Sequence, residues 1–449
     1  MKLDMTKGSI NRHLIRFAIP LILGNMFQLT YNAVDSIIVG RYIGNEAQAA
    51  VGTSNPLMNI IVFFIVGACT GIQVLMSTYF GAKQQEKLKK EISTSIIIGF
   101  LFIFVLSVAS IVFARPMLRL IRVPESILEM STTYLQIIFS GLVFTFLYNI
   151  YAAILRSIGD SKTPIYFIII SCLINVGLDI VFVVYGNLGV RGVAYATVIA
   201  EMVSSLLCIF YVRRRVPLLR IPLKEFRIEK SMVNETVSFG LNTAIQKIAL
   251  NVGKVLVQGC VNTLDIDAIA TFNAVSRVDD YVFQPEQSIG NAMTTCIAQN
   301  NGAKKEERIQ KTLHKGLILE LVYWVFIGTV IFFVAEKVMY LFVNDTENNV
   351  VSMGTSYLKT MAFFYAMPAI TNGIQGYFRG LGKLNINFYS TLIQMIGRVA
   401  MAYILVPRLG VFGISLSCFI GWLVMLGFEV PYYFYFRRKN KLVSESATC

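Results

Sequence analysis

Several residue types and motifs on which catalysis commonly depends are rare or missing in this sequence. Of its 449 residues only two are histidine, His13 and His314, and both flank apolar stretches. The sequence contains no glycine-rich phosphate loop, no Gly-x-Ser-x-Gly nucleophile motif and no cluster of metal ligands. We therefore expect a protein that is not an enzyme. An integral membrane acyl or prenyl transferase, for example, would lack the groups that its chemistry needs.

Long polar segments are also missing. The seven cysteines show no Cys-x-x-Cys spacing, and most of them lie in apolar stretches, where cysteine packs as a small hydrophobic residue. No polar segment exceeds about twenty residues, which is too short for the nucleotide-binding domain of an ATP-driven pump. We expect no disulfide, no bound metal and no cofactor. Any transport would then be driven by an ion gradient or by the gradient of the substrate itself.

Apolar runs take the place of the missing polar segments. Hydrophobic residues make up 55% of the chain and charged residues 15%, whereas ordinary soluble domains contain about 25% charged residues. Runs long enough to cross a bilayer recur along the whole length. The pattern predicts an all-α integral membrane protein with twelve transmembrane helices. The predicted spans are 14–39, 51–79, 92–114, 131–155, 164–185, 190–212, 233–260, 268–297, 313–335, 352–378, 386–406 and 411–436.

The net charge of +14 follows membrane topology and does not indicate nucleic acid as a partner. The two termini and the even-numbered connections between spans hold most of the Lys and Arg residues. The odd-numbered connections and their flanks hold only Arg41, Arg115, Arg119, Arg122, Arg191, Lys337 and Arg408. By the positive-inside rule both termini are predicted to be cytoplasmic. The connection between spans 3 and 4, with three arginines, is the one exception to the pattern.

Short motifs recur at a nearly constant distance along the chain. Gly81-Ala82-Lys83 returns as Gly302-Ala303-Lys304, and Leu188-Gly189-Val190 returns as Leu409-Gly410-Val411, each 221 residues later. Two halves of six spans enter the membrane in the same orientation, which makes them parallel repeats. We therefore expect an N-terminal six-helix lobe over residues 1–212, a basic cytoplasmic linker over 213–231 and a C-terminal six-helix lobe over 232–449.

Two of the spans in the first half carry acids among polar neighbours. In span 1 the spacing of Asn25, Gln28, Asn32 and Asp35 forms one polar stripe along an apolar helix. In span 5, Asn175 and Asp179 lie four residues apart and point to the same side. A carboxylate at membrane depth is costly, so such residues usually have a function. The alternative is that they form a hydrogen bond that only holds two helices together.

The second half carries bases where the first half carries acids. Lys247 and Lys254 lie in span 7, and Arg398 lies in the counterpart of span 5. Span 8 adds Asp279, Asp280 and Glu286, and the first expectation is that its acids neutralise these bases as buried ion pairs. The alternative is substrate contact. The candidates for a substrate cavity are Gln28, Tyr31, Asn32, Asp280 and Glu286.

The two six-helix halves, with an acid in span 1 and Asn-x-x-x-Asp in span 5, resemble the MATE (multidrug and toxic compound extrusion) family. The resemblance covers essentially the whole chain. It implies that Asp35, Asn175, Asp179 and Thr197 bind the coupling cation, H⁺ or Na⁺, and that Pro20 is a point at which helix 1 bends. Some members carry acids in spans 7 and 10, which this chain lacks, so coupling is expected to run through the N-terminal lobe alone.

The resemblance also implies a function. The chain is expected to be a secondary active multidrug efflux antiporter that exports amphipathic organic cations by alternating access. Its expected place is the cell membrane, where it would act as a monomer in contact with the lipid bilayer. Two carboxylates in one desolvated pocket repel each other, which favours H⁺ over Na⁺ as the coupling ion. A flippase for a lipid or lipid-linked precursor is the alternative, since Lys247, Lys254 and Arg398 suit a phosphate. The duplicated halves argue against a receptor or channel.

Overall fold

The computed structural model of the chain describes residues 3–342 and 348–446. The described part is α-helical and contains no strand. The helices are α1 (Ile10–Tyr42), α2 (Asn45–Gly81), α3 (Gln85–Leu120), α4 (Glu125–Ser140), α5 (Leu142–Ser157), α6 (Lys162–Asp179), α7 (Val190–Arg215), α8 (Lys230–Val261), α9 (Ile266–Gly302), α10 (Glu306–Met339), α11 (Asn348–Phe364), α12 (Ala366–Gly380) and α13 (Leu384–Ser446).

Each predicted span corresponds to one helix, to part of one, or to two consecutive helices. Within the described residues, seven helices are long and apolar enough to cross a membrane, and an eighth span appears if α4 and α5 are counted together. The chain is therefore a multi-pass helical membrane protein. The total of twelve spans stays a prediction, because length and composition do not single out every helix.

Two spans that were predicted as single helices are broken. The span 131–155 consists of α4 and α5, which meet at Gly141 with a bend of 43°. The span 352–378 consists of α11 and α12, which meet at Tyr365. Glycine is a poor helix former. Three residues after Tyr365, Pro368 has no N–H to donate to the preceding turn, which weakens the helix at that point.

The backbone repeats the motif spacing found in the sequence. Lys83 and Lys304 have φ angles of 58° and 55°, in the left-handed region that few residues other than glycine adopt. Gly189 and Gly410 share an unusual conformation, with φ and ψ of 57° and −140° in the first and 56° and −135° in the second. Gly410 divides α13 into two helical arms. Three-dimensional turns thus recur at the predicted 221-residue offset, which confirms the internal repeat.

The chain forms two compact units. The first unit comprises residues 1–247 and 295–309, and the second comprises residues 248–294 and 310–449. The apolar core of the first unit includes Ile65, Leu135 and Phe139, and that of the second includes Val275 and Leu358. These units divide α8, α9 and α10 within the helices, so the predicted lobes 1–212 and 232–449 stay a prediction.

In the first unit the last turns of α2 and α9 are in very close contact. A Cβ atom on Gly81 would lie 1.9 Å from the carbonyl oxygen of Gln299. A Cβ atom on Gly302 would lie 1.9 Å from the carbonyl oxygen of Thr78. The two glycines are counterparts in the repeat, and each makes room for the backbone of the other helix. Only glycine fits at either position without displacing backbone atoms.

Candidate functional site

The candidate site lies in the first unit, where three helices each contribute two polar residues four positions apart. The pairs are Tyr31 and Asp35 on α1, Asn175 and Asp179 on α6, and Thr197 and Glu201 on α7. Residues four apart share one face of a helix. Helix α6 packs against both α1 and α7, so the three polar faces are brought together. We call Tyr31, Asp35, Asn175, Asp179 and Thr197 the carboxyl cluster.

The central contact of the cluster joins two acids. The carboxyl groups of Asp35 and Asp179 lie within hydrogen-bonding distance of each other. Such a bond requires a proton on one of the two groups, because two carboxylates offer only acceptors. Asp179 is fully buried, and the Oδ1 atoms of both acids have no hydrogen-bond partner among the described residues. The pair therefore has unused capacity to bind a proton or another small cation.

Asn175 connects the acids to the neighbouring helices. With its amide assigned so that both ends are satisfied, its nitrogen donates to Oδ2 of Asp179 at 3.2 Å. Its oxygen accepts from the backbone N–H of Thr197 at 3.0 Å, and the Tyr31 hydroxyl is in short hydrogen-bond contact with the same amide. The Thr197 hydroxyl donates to the carbonyl of Val193 at 3.0 Å. The hydrogen bonds of Asn175 therefore link the carboxyl group of Asp179 to the backbone of α7.

The helix changes its winding directly after the second acid. The α-helical part of span 5 ends at Asp179, and Ile180–Tyr185 forms a π-helical segment. Short π-helical segments are rare and occur frequently at functional sites. The carboxyl group of Asp179 thus lies where two kinds of helical winding meet. The sequence pattern, which predicted one continuous span over 164–185, gave no sign of this change.

The sequence reading missed an acid, Glu201, on the same face of α7 as Thr197. The hydroxyl of Thr145 in α5 donates a short hydrogen bond to its Oε2 atom. Buried Tyr134 lies within electrostatic range of Glu201, Asp35 and Asp179, and so lies near all three acids. The spacing of four residues from Thr197 was the signal that could have identified it. The same rule had already identified Asn175 and Asp179.

Three further residues of the first unit were predicted to have a function, and no described contact places them in the carboxyl cluster. Gln28 is exposed on α1, one turn before the cluster residues. Asn32 lies in α1, but its side chain is outside the described part of the structure. Pro20 lies inside α1, which continues without interruption from Ile10 to Tyr42. A bend at Pro20 stays a prediction.

In the second unit the structure separates the two acids that had been grouped as cavity candidates. Asp280 forms an ion pair with Lys254, with 3.2 Å between Oδ1 and Nζ. The expectation of a buried pair is wrong here, since the two side chains are 47% and 60% exposed. Both residues lie in predicted membrane spans, where accessible charges avoid lipid and face a water-filled space, so Asp280 stays a candidate for substrate contact. Glu286, in contrast, is fully buried.

A second group of polar side chains surrounds Asp279. Tyr357 and Tyr365 donate hydrogen bonds to its two carboxyl oxygens at 3.0 and 2.6 Å. The guanidinium of Arg398 is close enough to act on the same carboxyl electrostatically. Asp279 is therefore the acid that balances Arg398. The sequence had predicted this pairing between span 8 and Arg398 in general terms.

Comparisons with known proteins point to one family. A family profile described as MatE matches residues 20–181 and again residues 243–404, with the second match 223 residues after the first. The chain is 31% identical over 349 residues to the "Probable multidrug resistance protein YoeA" of Bacillus subtilis, covering 76% of this chain and 75% of that protein. It is 27% identical over 388 residues to the "Probable multidrug resistance protein YpnP" of the same organism, covering 85% of each.

A solved structure shows the same fold. It is described as the outward-facing conformation of a multidrug resistance MATE family transporter of the MOP superfamily. The TM-score is 0.90, the sequence identity is 21%, and 96% of each chain is covered. The double match of one profile also supports the internal repeat independently of the backbone turns.

Proposed function

The chain belongs to the MatE family of membrane transporters, and from this membership together with the carboxyl cluster we propose that it exports organic cations in exchange for protons. It is a transporter and not an enzyme. We choose the proton as the coupling ion because the carboxyl groups of Asp35 and Asp179 are in direct contact. A proton fits between two carboxyl oxygens in hydrogen-bond contact, whereas a larger ion would have to separate them.

The proposed cycle turns on the loss of that proton. When it leaves, two carboxylates face each other in a pocket with little water, and their repulsion favours separation of α1 from α6. A bound organic cation compensates the negative charge and therefore promotes the loss. By thermodynamic reciprocity, protonation weakens cation binding by the same factor. A gradient that supplies protons from outside would then drive release of the cation outside.

The proposed setting of this cycle follows the charge pattern of the sequence. Both termini and the linker 213–231 lie in the cytoplasm, the protein is in the cell membrane, and one chain is the working unit. Exported compounds are amphipathic and cationic, since carboxylates attract them by charge and aromatic side chains by their faces. The relatives named as multidrug resistance proteins support an exporter of several compounds.

The flippase alternative is weakened by where the bases lie. Two of the three basic residues that suited a phosphate group are already matched by acids. Lys254 pairs with Asp280, and Arg398 lies beside Asp279. Each match removes positive charge that a lipid phosphate would need. If a phospholipid headgroup displaced a bound cationic dye from the purified protein, that result would support the flippase alternative.

The test measures protons directly. Ethidium, an organic cation, is added to the purified protein in weakly buffered detergent while the pH is recorded. We expect acidification with the unchanged protein and none with Asp35→Asn or Asp179→Asn, because the amide keeps the volume but cannot ionise. Asp267→Asn, an exposed acid at the start of α9, is the matched control and should release protons normally. No acidification, with ethidium displaced by Na⁺ at constant pH, would make sodium the coupling ion.

A further inference from the structure

The second unit contains a pair of acids that the proposed cycle does not use. Glu286 on α9 and Glu320 on α10 are both fully buried, with no exposed surface. The two carboxyl groups are close enough to act on each other electrostatically. Neither is part of the carboxyl cluster, which lies in the first unit. Glu320 was not identified from the sequence, although an acid in a largely apolar span was the signal that could have identified it.

All four carboxyl oxygens of this pair lack a hydrogen-bond partner within the described residues. The titratable groups that face the pair are Tyr323 on α10 and Tyr365 between α11 and α12. Their hydroxyl protons are already used elsewhere. Tyr323 donates to the carbonyl of Val282 at 3.0 Å, and Tyr365 donates to Asp279 at 2.6 Å. No described donor is left to stabilise a carboxylate at this place.

Positive charge is missing as well. No Lys or Arg in the described part of the chain acts on either carboxyl group, and no ion pair involves them. Arg398, in the same unit, acts on Asp279 and on neither glutamate. A buried charge with neither partner nor water costs so much that such a group takes up a proton instead. Two ionised glutamates side by side would be less stable still.

We propose that Glu286 and Glu320 form a second proton-binding site, which alternates between a state with two protons and a state with one. In the first state both groups are neutral carboxylic acids. In the second, one of the two groups has lost its proton, and its negative charge makes loss of the remaining proton harder. Protons enter and leave as the pair changes state, and the two groups titrate as one unit.

A proton is the ligand that the surroundings favour. A metal cation would have to be bound by ionised carboxylates, whereas protons bind here while leaving both groups neutral, which is the state that burial without a described donor favours. This inference goes beyond the proposed function. It does not depend on which ion drives export, and it gives the second unit a titrating group of its own. A transport cycle that engaged it would move more protons than the carboxyl cluster alone accounts for.

The test uses infrared difference spectra of the purified full-length protein between acidic and alkaline pH. The background is Asp35→Asn with Asp179→Asn, which removes the acids of the carboxyl cluster and separates this site from the proposed antiport. We expect a carboxylic acid C=O band that weakens as the pH rises. Protein grown with ¹³C-carboxyl glutamate should show this band shifted, which assigns it to glutamate without any substitution in the pair.

Substitutions then place the band at these two residues. Glu286→Gln with Glu320→Gln should remove the part of the band that belongs to these two residues, whereas Glu91→Gln, which changes a buried glutamate of the first unit, should leave that part unchanged. Either single variant should move the midpoint of the change to lower pH, because the remaining carboxylate no longer meets the charge of a neighbouring carboxylate. A band of unchanged intensity after the double substitution, or one that does not respond to pH, would overturn the proposal. A band that responds to Na⁺ at constant pH would show a metal cation as the ligand.

Discussion

At the scale of the residue, a single hydrogen bond to Glu201 is expected to contribute measurably to the stability of the protein. The carboxyl group of Glu201 accepts from the hydroxyl of Thr145, which is its only hydrogen-bond partner among the described side chains. Because Thr145 is buried, water cannot replace the lost donor efficiently. A carboxylate left without its donor in such surroundings is expensive.

We therefore predict that Thr145→Val lowers the free energy of unfolding by about 1–3 kcal/mol. Valine has the shape of threonine but cannot donate. In a Glu201→Leu background the same substitution should cost much less, since no acceptor is left unsatisfied. Thermal unfolding of the four proteins in detergent completes the cycle. Equal costs of Thr145→Val in both backgrounds would show that the hydroxyl and the carboxyl group do not interact.

The residues of the carboxyl cluster could be predicted from the sequence to different degrees. Asn175 and Asp179 stand out because polar groups are rare in an apolar span and their spacing puts them on one face. Asp35 ends a polar stripe in the same way. That the two acids touch, however, depends on the packing of α1 against α6, and single-helix spacing contains no information about a neighbouring helix. Glu286 was a candidate from the sequence but Glu320 was missed, and spacing within one helix cannot show that acids on two different helices lie together.

At the scale of the element, the sequence predicted where helices run better than how they are wound. Hydropathy identifies the length of a span, and the observed helices cover all twelve predicted ranges. It does not detect the break at Tyr365 or the π-helical winding after Asp179, because neither changes the apolar character of the segment. The break at Gly141 had a local signal, since glycine weakens a helix wherever it occurs. The proline at position 368 was a comparable signal.

The contact between the ends of α2 and α9 yields a prediction about helix packing. Gly81→Ala should lower the melting temperature, because its Cβ would lie 1.9 Å from a backbone oxygen that cannot rotate away. Overpacking of this kind costs about 1–3 kcal/mol. Gly52→Ala, in the same helix with no atom within 4 Å of its Cβ, is the control and should be neutral or slightly stabilising. Equal melting temperatures for both variants would mean that α2 and α9 can separate at no cost.

At the scale of the whole molecule, the charge pattern predicts the orientation in the membrane. Single cysteines at Pro222 in the linker and at Asn187 before α7 are both at exposed positions. An impermeant thiol reagent added to intact cells should label position 187 and not position 222, because Lys and Arg residues concentrate on the cytoplasmic side. The protein without its native cysteines is the background for both. Labelling at 222 from outside would reverse the proposed topology and place the linker on the outer face.

The repeat was the part of the architecture that the sequence predicted most directly. Short matches at one offset were enough, because the turns that connect helices impose strict demands on a few residues. Lys83 and Lys304 keep the same positive φ angle, although the helices around them have diverged in sequence. The distribution of charge could not be inferred in this way. The two halves share their turns but not their acids, so each acid had to be found in its own context.

The turns at Gly189 and Gly410 have matching backbone geometry, so the same substitution can be compared at two places in one molecule. Both glycines hold nearly the same backbone angles, but only Gly189 follows the segment that carries Asp179. A larger residue at either position imposes the same local strain. Any additional loss that appears at Gly189 alone therefore measures how closely the carboxyl cluster depends on its adjoining turn. In this protein, the natural duplication supplies a control that an experimenter would otherwise have to build.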